Sequence, residues 1–240
     1  MPGEAEVGAA ALERELARLL GELAAERGLA ANAVCARAAA IDAAARFAHE
    51  AERSAVARAV EARQREFATG RRLAHELLAR LGRGGAPLLP DERRTPRWPA
   101  GVVGSIAHSR RAAAVALASE RELAGLGIDL EEDGPLAPDV AATVLTEREA
   151  QRARALPGDW LAWAKVAFCA KECAYKAWSP FLGRVLEFEE VELALDAGRA
   201  RFRARLLGTP DGLPGGGELD GGFARADGHV LAAALLPRAT

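Results

Sequence analysis

Apolar residues recur at helical spacing in two stretches of the first half of the chain. Leucines at this spacing in residues 9–27 predict an amphipathic helix. A second helical pattern covers residues 50–81, and we expect it to break at the Thr69-Gly70 step. Residues 32–39 fit either a strand or a helix. The Gly- and Pro-rich stretch 82–99 predicts a loop.

Short apolar runs typical of strands recur in the chain after residue 100. They lie at residues 102–106, 112–118, 126–130, 186–195, 199–207 and 229–236. A short helix is predicted within 138–154, where Thr146 and Glu149 have the spacing of a capping box. A long helix is predicted at 160–178, and the glycine-rich residues 211–222 predict a surface loop.

The order of these elements predicts the fold class. Helices precede strands in each half of the chain, which favours an α+β fold. We expect two similar α/β halves related by pseudo-twofold symmetry, covering residues 1–123 and 124–240 and meeting near residues 120–124.

The composition is that of a globular chain without a global electrostatic bias. Of 240 residues, 50 % are hydrophobic and 28 % are charged, with a formal net charge of −2. No overall field therefore draws the protein to nucleic acid or to an anionic membrane. No apolar run reaches the ~18 residues of a membrane span, and the acidic N-terminus is unlike a signal peptide. The three cysteines lack a disulfide framework, so we expect a cytoplasmic protein.

Lysine is rare in this chain and confined to one segment. The sequence has 29 arginines but three lysines, and Lys165, Lys171 and Lys176 fall within twelve residues. A codon bias explains the abundance of arginine, but it would remove lysine everywhere. We therefore expect this segment to carry chemistry that requires a compact ammonium group.

Residues 127–131, Gly-Ile-Asp-Leu-Glu, alternate in polarity. The period of a strand places Ile128 and Leu130 on one face and Asp129 and Glu131 on the other. Two neighbouring carboxylates repel each other unless a cation lies between them, and such an oxygen-rich pair suits Mg²⁺. The alternative is a solvated strand end, since polar residues are common on exposed strand faces.

The long helix at 160–178 is apolar around most of its circumference, which predicts that it is buried. Its charged residues therefore need partners. Lys165, Glu172 and Lys176 share one face, and Lys171 lies beside them. Glu172 either forms an i,i+4 ion pair with Lys176 or joins the two carboxylates of the acidic strand on a metal ion, while the lysines hold anionic oxygens.

Residues 53–97 carry eleven arginines against five acidic residues. Arginines suit a phosphate-binding cleft because guanidinium matches phosphate in a bidentate manner. The candidates are Arg63, Arg71, Arg72, Arg93 and Arg94. For each of them the alternative is a solvated helix face with i,i+4 pairs. A nucleic-acid interface is a further interpretation, but no nucleic-acid-binding motif is present.

His108 follows a predicted strand and precedes the turn at residues 109–111. A histidine in this place either caps backbone groups or hydrogen-bonds a phosphate. We do not expect a serine hydrolase, because the chain has no Gly-x-Ser-x-Gly elbow. The chain also lacks the Gly-x-x-x-x-Gly-Lys-Ser/Thr loop of nucleotide kinases.

Three blocks of this sequence resemble the 4′-phosphopantetheinyl transferases, in particular the larger, monomeric bacterial type. The blocks are WPAGVVGSIAH at 98–108, GIDLE at 127–131 and FCAKECAYKAW at 168–178, with a weaker fourth block, RQREFATGR, at 63–71. The similarity extends over about residues 50–207. Gly-Ile-Asp-x-Glu followed about forty residues later by Ala-Lys-Glu-x-x-Tyr-Lys is a specific combination.

The resemblance implies a role for each motif residue. Asp129, Glu131 and Glu172 would bind the metal, Glu172 would also be the general base, and Lys171 and Lys176 would face a pyrophosphate. His108 would contact the 3′-phosphate of coenzyme A. The residues assigned in this way to coenzyme A are Arg63, Arg71, Arg93, His108, Lys171 and Lys176. The loop at 89–94 lacks a lysine that relatives often carry, and either Arg93 or Arg94 would replace it.

The resemblance also implies the reaction. The 4′-phosphopantetheine arm of coenzyme A would pass to a serine of an apo acyl or peptidyl carrier protein, with Mg²⁺ or Mn²⁺, releasing adenosine 3′,5′-bisphosphate. The metal and coenzyme A would meet at the junction of the two halves. Such enzymes serve polyketide, nonribosomal-peptide and siderophore synthesis, and we expect a monomer without nucleic-acid or membrane partners. A non-catalytic module that binds RNA or another polyanion is the alternative.

Overall fold

The computed structural model describes residues 4–30, 32–208, 210 and 212–238, and it has the expected α+β architecture. Its α-helices are α1 (Glu4–Glu26), α2 (Glu50–Ala55), α3 (Glu61–Arg80), α4 (Pro138–Val144), α5 (Glu147–Arg154) and α6 (Trp160–Leu182). Its strands are β1 (Val34–Ala40), β2 (Val102–His108), β3 (Ala112–Ser119), β4 (Leu123–Glu132), β5 (Val191–Asp196), β6 (Arg201–Leu206), β7 (Glu218–Ala226) and β8 (His229–Pro237). Short 3₁₀ turns cover Phe188–Glu190 and Pro214–Gly217.

The strands of the described residues form two antiparallel sheets. The smaller sheet has the order β1-β3-β2, and the larger one has the order β4-β8-β7-β6-β5. β4 follows β3 in the chain but pairs with β8, so it belongs to the larger sheet. β4 also packs against β2. The C-terminal ends of β2 and β4, which carry His108 and Glu131, are therefore brought to the same side of the molecule.

Helix α1 lies against both sheets and closes a core that they share. Its leucines, among them Leu16 and Leu19, are fully buried. They join one apolar cluster with Ala114 of β3, Ile128 of β4 and Leu231 of β8. The two halves of the chain are therefore packed through a common core. The division into residues 1–123 and 124–240 and the pseudo-twofold relation between the halves stay predictions.

Helix α6 approaches β4 so closely that the facing strand position must be glycine. A Cβ added at Gly127 would lie 2.0 Å from the carbonyl oxygen of Cys173, a distance that no side chain tolerates. Cys173 Sγ in turn donates to the carbonyl of Gly127 at 3.2 Å. Because alternate positions of a strand share a face, this contact also directs Asp129 and Glu131 toward the helix.

Several expectations from the sequence are confirmed, and two are wrong. The capping box of Thr146 and Glu149 begins α5 as expected, and the ambiguous stretch near residue 35 is a strand. The break expected at Gly70 is wrong, because α3 continues through it and the interruption lies at residues 56–60. Gly70 serves packing instead, since a Cβ there would lie 2.9 Å from the side chain of Ile106 on β2.

The loop expected at 211–222 is also wrong in its second part. β7 begins at Glu218 and pairs with β6 on one side and β8 on the other, and these backbone hydrogen bonds outweigh the low strand propensity of its glycines. Residue 211 lies outside the described residues. In the part of the chain that the structure covers, no helix has both the length and the apolar character needed to cross a membrane.

Candidate functional site

The acidic residues of β4 meet the lysines of α6 at one end of the contact between these elements. Asp129 is 5 % exposed, and its Oδ1 accepts a 2.6 Å hydrogen bond from Lys176 Nζ. Its Oδ2 is buried and has no hydrogen-bond partner within the described residues. A buried carboxylate oxygen without a partner is costly, and a cation bound at Asp129 would relieve this cost.

Two further carboxylates are electrostatically coupled to Asp129. Burial raises the pKa of Glu131, and the charge of Asp129 raises it further, although Lys165 Nζ lies 3.3 Å from Glu131 Oε2. Burial likewise raises the pKa of Glu172, and Asp129 adds to that shift while Lys176 opposes it. Carboxylates whose pKa values are raised by a neighbouring carboxylate favour a cation between them.

Lys176 binds across to the strand rather than along its own helix. Burial lowers the pKa of Lys176, but the charge and hydrogen bond of Asp129 outweigh burial and raise it overall. The i,i+4 ion pair between Glu172 and Lys176, which was the alternative interpretation of the sequence, is not among the ion pairs of the described residues, and Lys176 pairs with Asp129 instead. The interpretation of Glu172 as a simple helix-surface partner of Lys176 is therefore wrong.

The carboxylates suit a divalent cation in ligand type and charge, since Mg²⁺ prefers carboxylate oxygens and open positions. The buried, unpartnered Oδ2 of Asp129 supports this fit. They do not form a preassembled metal centre, because no group of three or more His, Cys, Asp or Glu side chains in the described residues could hold a metal ion. Two of the carboxylates are instead paired with lysines: Glu131 with Lys165, and Asp129 with Lys176. A bound cation would replace these ammonium groups.

Lys171 lies away from this cluster, on another face of α6. Its side chain is 1 % exposed, and its Nζ donates to Glu149 Oε2 and to the carbonyls of Val144 and Phe188, each at 2.9 Å. An ammonium group has three donors, so none remains for a phosphate. The expectation that Lys171 lies beside the other two lysines and faces a pyrophosphate is at odds with this geometry.

We call Asp129, Glu131 and Glu172 the acidic cluster. A basic cavity of 610 Å³ lies beside it. The charged and titratable side chains that line it are Arg58, Arg63, Glu66, Arg71, Arg94 and His108. Arg71 is held there by its Nε, which donates to the carbonyl of Leu88 at 2.7 Å, and by the ring of Phe67 at 4.1 Å. Burial lowers the pKa of Arg71 to about 10, so this guanidinium is charged at neutral pH.

His108 is a neutral imidazole among cations. Burial lowers its pKa to about 3, and the charges of Arg63, Lys176 and Arg71 act in the same direction. Its Nδ1 lies 3.4 Å from Glu66 Oε2, and its Nε2 contacts Arg63 Nη1. An anion bound at this place would reverse the local field and favour the imidazolium form.

Arg94, rather than Arg93, turns toward the basic cavity. The turn that carries both is held by Asp91 Oδ1, which accepts hydrogen bonds from the backbone N–H groups of Arg93 and Thr95. Arg94 has a φ of 66°, and it lines the cavity. Arg93 is exposed and extends toward Gly183 at the end of α6. The assignment of Arg93 to the phosphates is therefore not supported by its position.

Two features of the site were not expected from the sequence. Glu66 lines both the basic cavity and a neighbouring cavity of 330 Å³, which also contains Glu131 and Lys165. Ser109 Oγ lies 2.9 Å from His229 Nε2. The i,i+3 spacing of Arg63 and Glu66 was the available signal for Glu66, whereas nothing in the sequence links residues 109 and 229.

The two cavities share Glu66 and His108, and together they connect cations to carboxylates. The arginines and His108 suit the phosphates of an extended polyanion. The carboxylates on β4 and α6 suit a metal ion and a proton transfer at the other end. The arrangement can therefore bind a phosphorylated ligand and act on one of its phosphates.

Comparisons with known proteins agree with this chemistry. The family model of the 4′-phosphopantetheinyl transferase N-terminal domain matches residues 50–118, and that of the 4′-phosphopantetheinyl transferase superfamily matches residues 125–232. The 4′-phosphopantetheinyl transferase Svp of Streptomyces mobaraensis is 43 % identical over 173 residues, covering 70 % of each chain. The 4′-phosphopantetheinyl transferase Npt of Nocardia iowensis is 35 % identical over 196 residues, covering 78 % of this chain and 88 % of that relative.

Among solved structures, a holo-(acyl-carrier-protein) synthase from Bacillus anthracis str. Ames in complex with CoA (3′,5′-ADP) is 21 % identical, with a TM-score of 0.37. The match covers 49 % of this chain and 99 % of that structure.

Proposed function

The chain belongs to the 4′-phosphopantetheinyl transferase family and is an enzyme of that class, and from this premise we propose its reaction in detail. It transfers the 4′-phosphopantetheine arm of coenzyme A to a serine of apo acyl or peptidyl carrier proteins, with Mg²⁺ or Mn²⁺. Adenosine 3′,5′-bisphosphate is the second product. The observation that carries the proposal is that the basic cavity shares Glu66 and His108 with the smaller cavity that contains Glu131 of the acidic cluster.

The basic cavity would hold the nucleotide end of coenzyme A. Arg63, Arg71 and Arg94 line it, and guanidinium groups suit the pyrophosphate and the 3′-phosphate of this ligand. We assign His108 to the 3′-phosphate, because its neutral imidazole lies among cations that an added anion would compensate. Lys176 pairs with Asp129, and its charge also acts on His108 of the cavity, so its ammonium group would pass from Asp129 to the pyrophosphate.

Asp129, Glu131 and Glu172 would hold the divalent cation, with the unpartnered Oδ2 of Asp129 as the best-placed oxygen. When bound, the cation neutralises charge that develops on the pyrophosphate oxygens. The residues of the chain supply the orientation: Asp129 and Glu131 lie on β4, and the charges of both act on Glu172 of α6.

Glu172 is suited to accept the proton of the attacking serine hydroxyl. Burial and the charge of Asp129 raise its pKa, which brings a carboxylate closer to the range in which general bases work at neutral pH. The serine oxygen forms a bond to the phosphorus next to the pantetheine arm. The bond from that phosphorus to the bridging oxygen of the pyrophosphate breaks, and adenosine 3′,5′-bisphosphate leaves with the electron pair.

We also propose a monomeric cytoplasmic enzyme with neither nucleic-acid nor membrane partners. The three cysteines are free thiols, which suits a reducing compartment. Carboxylates compensate part of the arginine excess, as in the ion pairs Arg65–Glu61 and Arg72–Glu76. This pairing speaks against the alternative of an RNA-binding module, which requires a continuous basic surface.

The test is the incubation of a panel of apo acyl and peptidyl carrier proteins with coenzyme A and Mg²⁺, followed by mass spectrometry. The expected result is the gain of one phosphopantetheine on the carrier serine, and a Ser→Ala carrier is the matched control. If no carrier gains this mass while the protein binds RNA with a steep salt dependence, the polyanion-binding alternative replaces the proposal.

A further inference from the structure

The three lysines of α6 pair with carboxylates on two different parts of the fold. Lys165 and Lys176 pair with Glu131 and Asp129 of the acidic cluster. Lys171 pairs instead with Glu149, at the start of α5. Lys171, one of the two lysines that the family resemblance assigns to the pyrophosphate, is therefore used elsewhere, and its adjacent residue, Glu172, is the general base of the proposed reaction.

The ammonium group of Lys171 has a complete set of partners. Glu149 Oε2 and the carbonyl oxygens of Val144 and Phe188 each lie 2.9 Å from its Nζ. The side chains of Lys171 and Glu149 are 1 % and 4 % exposed. A buried charge is tolerated when it is paired and fully hydrogen-bonded, and both conditions hold here.

Glu149 is equally occupied, and it connects two further backbone segments. Its Oε1 accepts from the backbone N–H of Leu193 on β5 at 2.7 Å. Its Oε2 accepts from the backbone N–H of Thr146 at 2.8 Å and from the Thr146 hydroxyl at 3.0 Å. The pair of Lys171 and Glu149 therefore ties α6 to the end of α4, the start of α5, the 3₁₀ turn and β5.

The anchoring of α6 through Lys171 also sets the orientation of the general base, Glu172. Successive residues of an α-helix are rotated by about 100°, so fixing Lys171 on one side fixes the direction in which Glu172 projects. Glu172 then projects from the same side of α6 as Lys176, four residues on, and Lys176 pairs with Asp129 of β4. A lysine suits the anchor because its three donors meet three separate acceptors, whereas the planar fork of arginine does not.

We propose that Lys171 is a positioning residue that acts through Glu149 to set the rotation of α6, and that it does not bind coenzyme A. This proposal rests on the proposed function, because its consequence is the placement of the general base Glu172. A displacement of about 1 Å at a reacting group can cost about a hundredfold in rate. Loss of the anchor should therefore lower kcat while leaving the binding of coenzyme A unchanged.

The test is a double-mutant cycle with Lys171→Met, Glu149→Gln and the combined variant. The measurements are the melting temperature, the Kd of coenzyme A by calorimetry, and kcat and KM for a carrier protein well below the melting temperature. We expect each single variant to lower kcat about ten- to a hundredfold with a Kd within twofold of wild type. We expect the combined variant to be no slower than the slower single variant, because both changes break one unit.

Two results would overturn the proposal. If Lys171→Met loses coenzyme A affinity tenfold or more while Glu149→Gln binds coenzyme A normally, Lys171 contacts the pyrophosphate and the proposal is wrong. Single variants that melt lower but keep wild-type kcat would reduce the pair to a purely structural role. Arg205→Met, which breaks the exposed Arg205–Glu192 pair, is the matched control and should change neither constant.

The combined variant keeps the proposal testable if a single variant does not fold, because it leaves no buried charge unpaired. Its Kd for coenzyme A alone then decides whether Lys171 binds the ligand. Failure of the proposed function is distinguishable, since it would appear as an inactive wild-type enzyme on every carrier.

Discussion

Lys176 Nζ lies 2.6 Å from Asp129 Oδ1, whereas Oδ2 of the same carboxylate is buried without a hydrogen-bond partner among the described residues. Oδ1 is thus neutralised by an ammonium group, whereas Oδ2 has no partner in the described part of the chain. Lysine and a divalent cation compete for one carboxylate in this arrangement. The competition predicts that the binding of the metal and of coenzyme A are coupled through Lys176.

Replacement of Lys176 by methionine should strengthen metal binding and weaken coenzyme A binding. The Lys176→Met variant leaves Asp129 without its counter-ion, so Mn²⁺ should bind more tightly in the absence of coenzyme A. Electron paramagnetic resonance titration measures the free Mn²⁺. Arg203→Met, which breaks an exposed ion pair with Asp220, should leave Mn²⁺ affinity unchanged. Weaker Mn²⁺ binding by Lys176→Met would contradict the competition.

Replacement of Glu172 by glutamine should separate activity from stability. The amide keeps the shape but loses the basicity, so kcat/KM should fall at least about a hundredfold. The pKa of Glu172 is raised, which means that its charged form is disfavoured in the folded state. The melting temperature of Glu172→Gln at neutral pH should therefore equal or exceed that of wild type.

The control for this change is Glu189→Gln, at an exposed carboxylate of the 3₁₀ turn, which should alter neither quantity. Turnover of Glu172→Gln within a few-fold of wild type would remove Glu172 from the chemistry.

Replacement of His108 by alanine should discriminate between two forms of the ligand. We assign His108 to the 3′-phosphate, so His108→Ala should weaken the binding of coenzyme A more than the binding of dephospho-coenzyme A, which lacks that phosphate. Calorimetric Kd values for both ligands provide the measurement, and wild type should prefer coenzyme A. Equal losses for the two ligands would mean that His108 supports the cavity rather than the 3′-phosphate.

His108 should also make the stability of the ligand-free protein depend on pH. Its pKa is about 3 in the folded state and about 6.5 when unfolded, so the unfolded chain binds the additional proton. The contribution of His108 to the free energy of unfolding therefore falls as the pH falls from about 6.5 toward about 3. The raised pKa values of Glu131 and Glu172 act in the opposite direction.

Urea denaturation of wild type and His108→Asn across this pH range isolates the histidine. The difference in unfolding free energy between the two proteins should change steadily below about pH 6.5, in favour of the variant. A constant difference would show that His108 takes up its proton in the folded state as readily as in the unfolded one.

Replacement of Gly127 by alanine should disturb the contact that forms the site. The added Cβ would lie 2.0 Å from the carbonyl oxygen of Cys173, so α6 must move away from β4, at a cost of about 1–3 kcal/mol in unfolding free energy. Activity should fall as well, because Glu172 moves with the helix. Denaturant titration and kcat/KM are the measurements.

Gly21→Ala is the matched control, since a Cβ at Gly21 meets no atom within 4 Å. Its position inside α1 predicts a gain of up to about 1 kcal/mol from helix propensity. A Gly127→Ala protein as stable and active as wild type would contradict the close approach of α6 and β4.

Local sequence patterns were sufficient for most elements. The leucine spacing of α1 and the spacing of Thr146 and Glu149 at the start of α5 depend on interactions within a few residues. Glycine led to wrong predictions at Gly70 and in β7, because a glycine can either interrupt a helix or strand or permit close packing within one. The neighbour across the contact decides between these roles, and for Gly70 that neighbour is Ile106.

The motifs at residues 98–108, 127–131 and 168–178, together with the alternation of β4 and the clustered lysines, determined the family and the candidate residues. They could not determine which partner each charged group takes. Lys171 and Lys176 share a motif, but their side chains project from different faces of α6, and they reach Glu149 and Asp129 respectively. Arg94 replaces Arg93 at the cavity because of a turn held by Asp91.

The sequence by itself therefore determined the fold class, through periodicity and short-range spacing, and the family, through the resemblance of its motifs; the residues of the site stay predictions. The tertiary structure alone decided the ion pairs and the lining of the cavities. The reason is physical: an ion pair depends on distance and burial across elements that are far apart in the chain, as for Asp129 and Lys176, which are 47 residues apart.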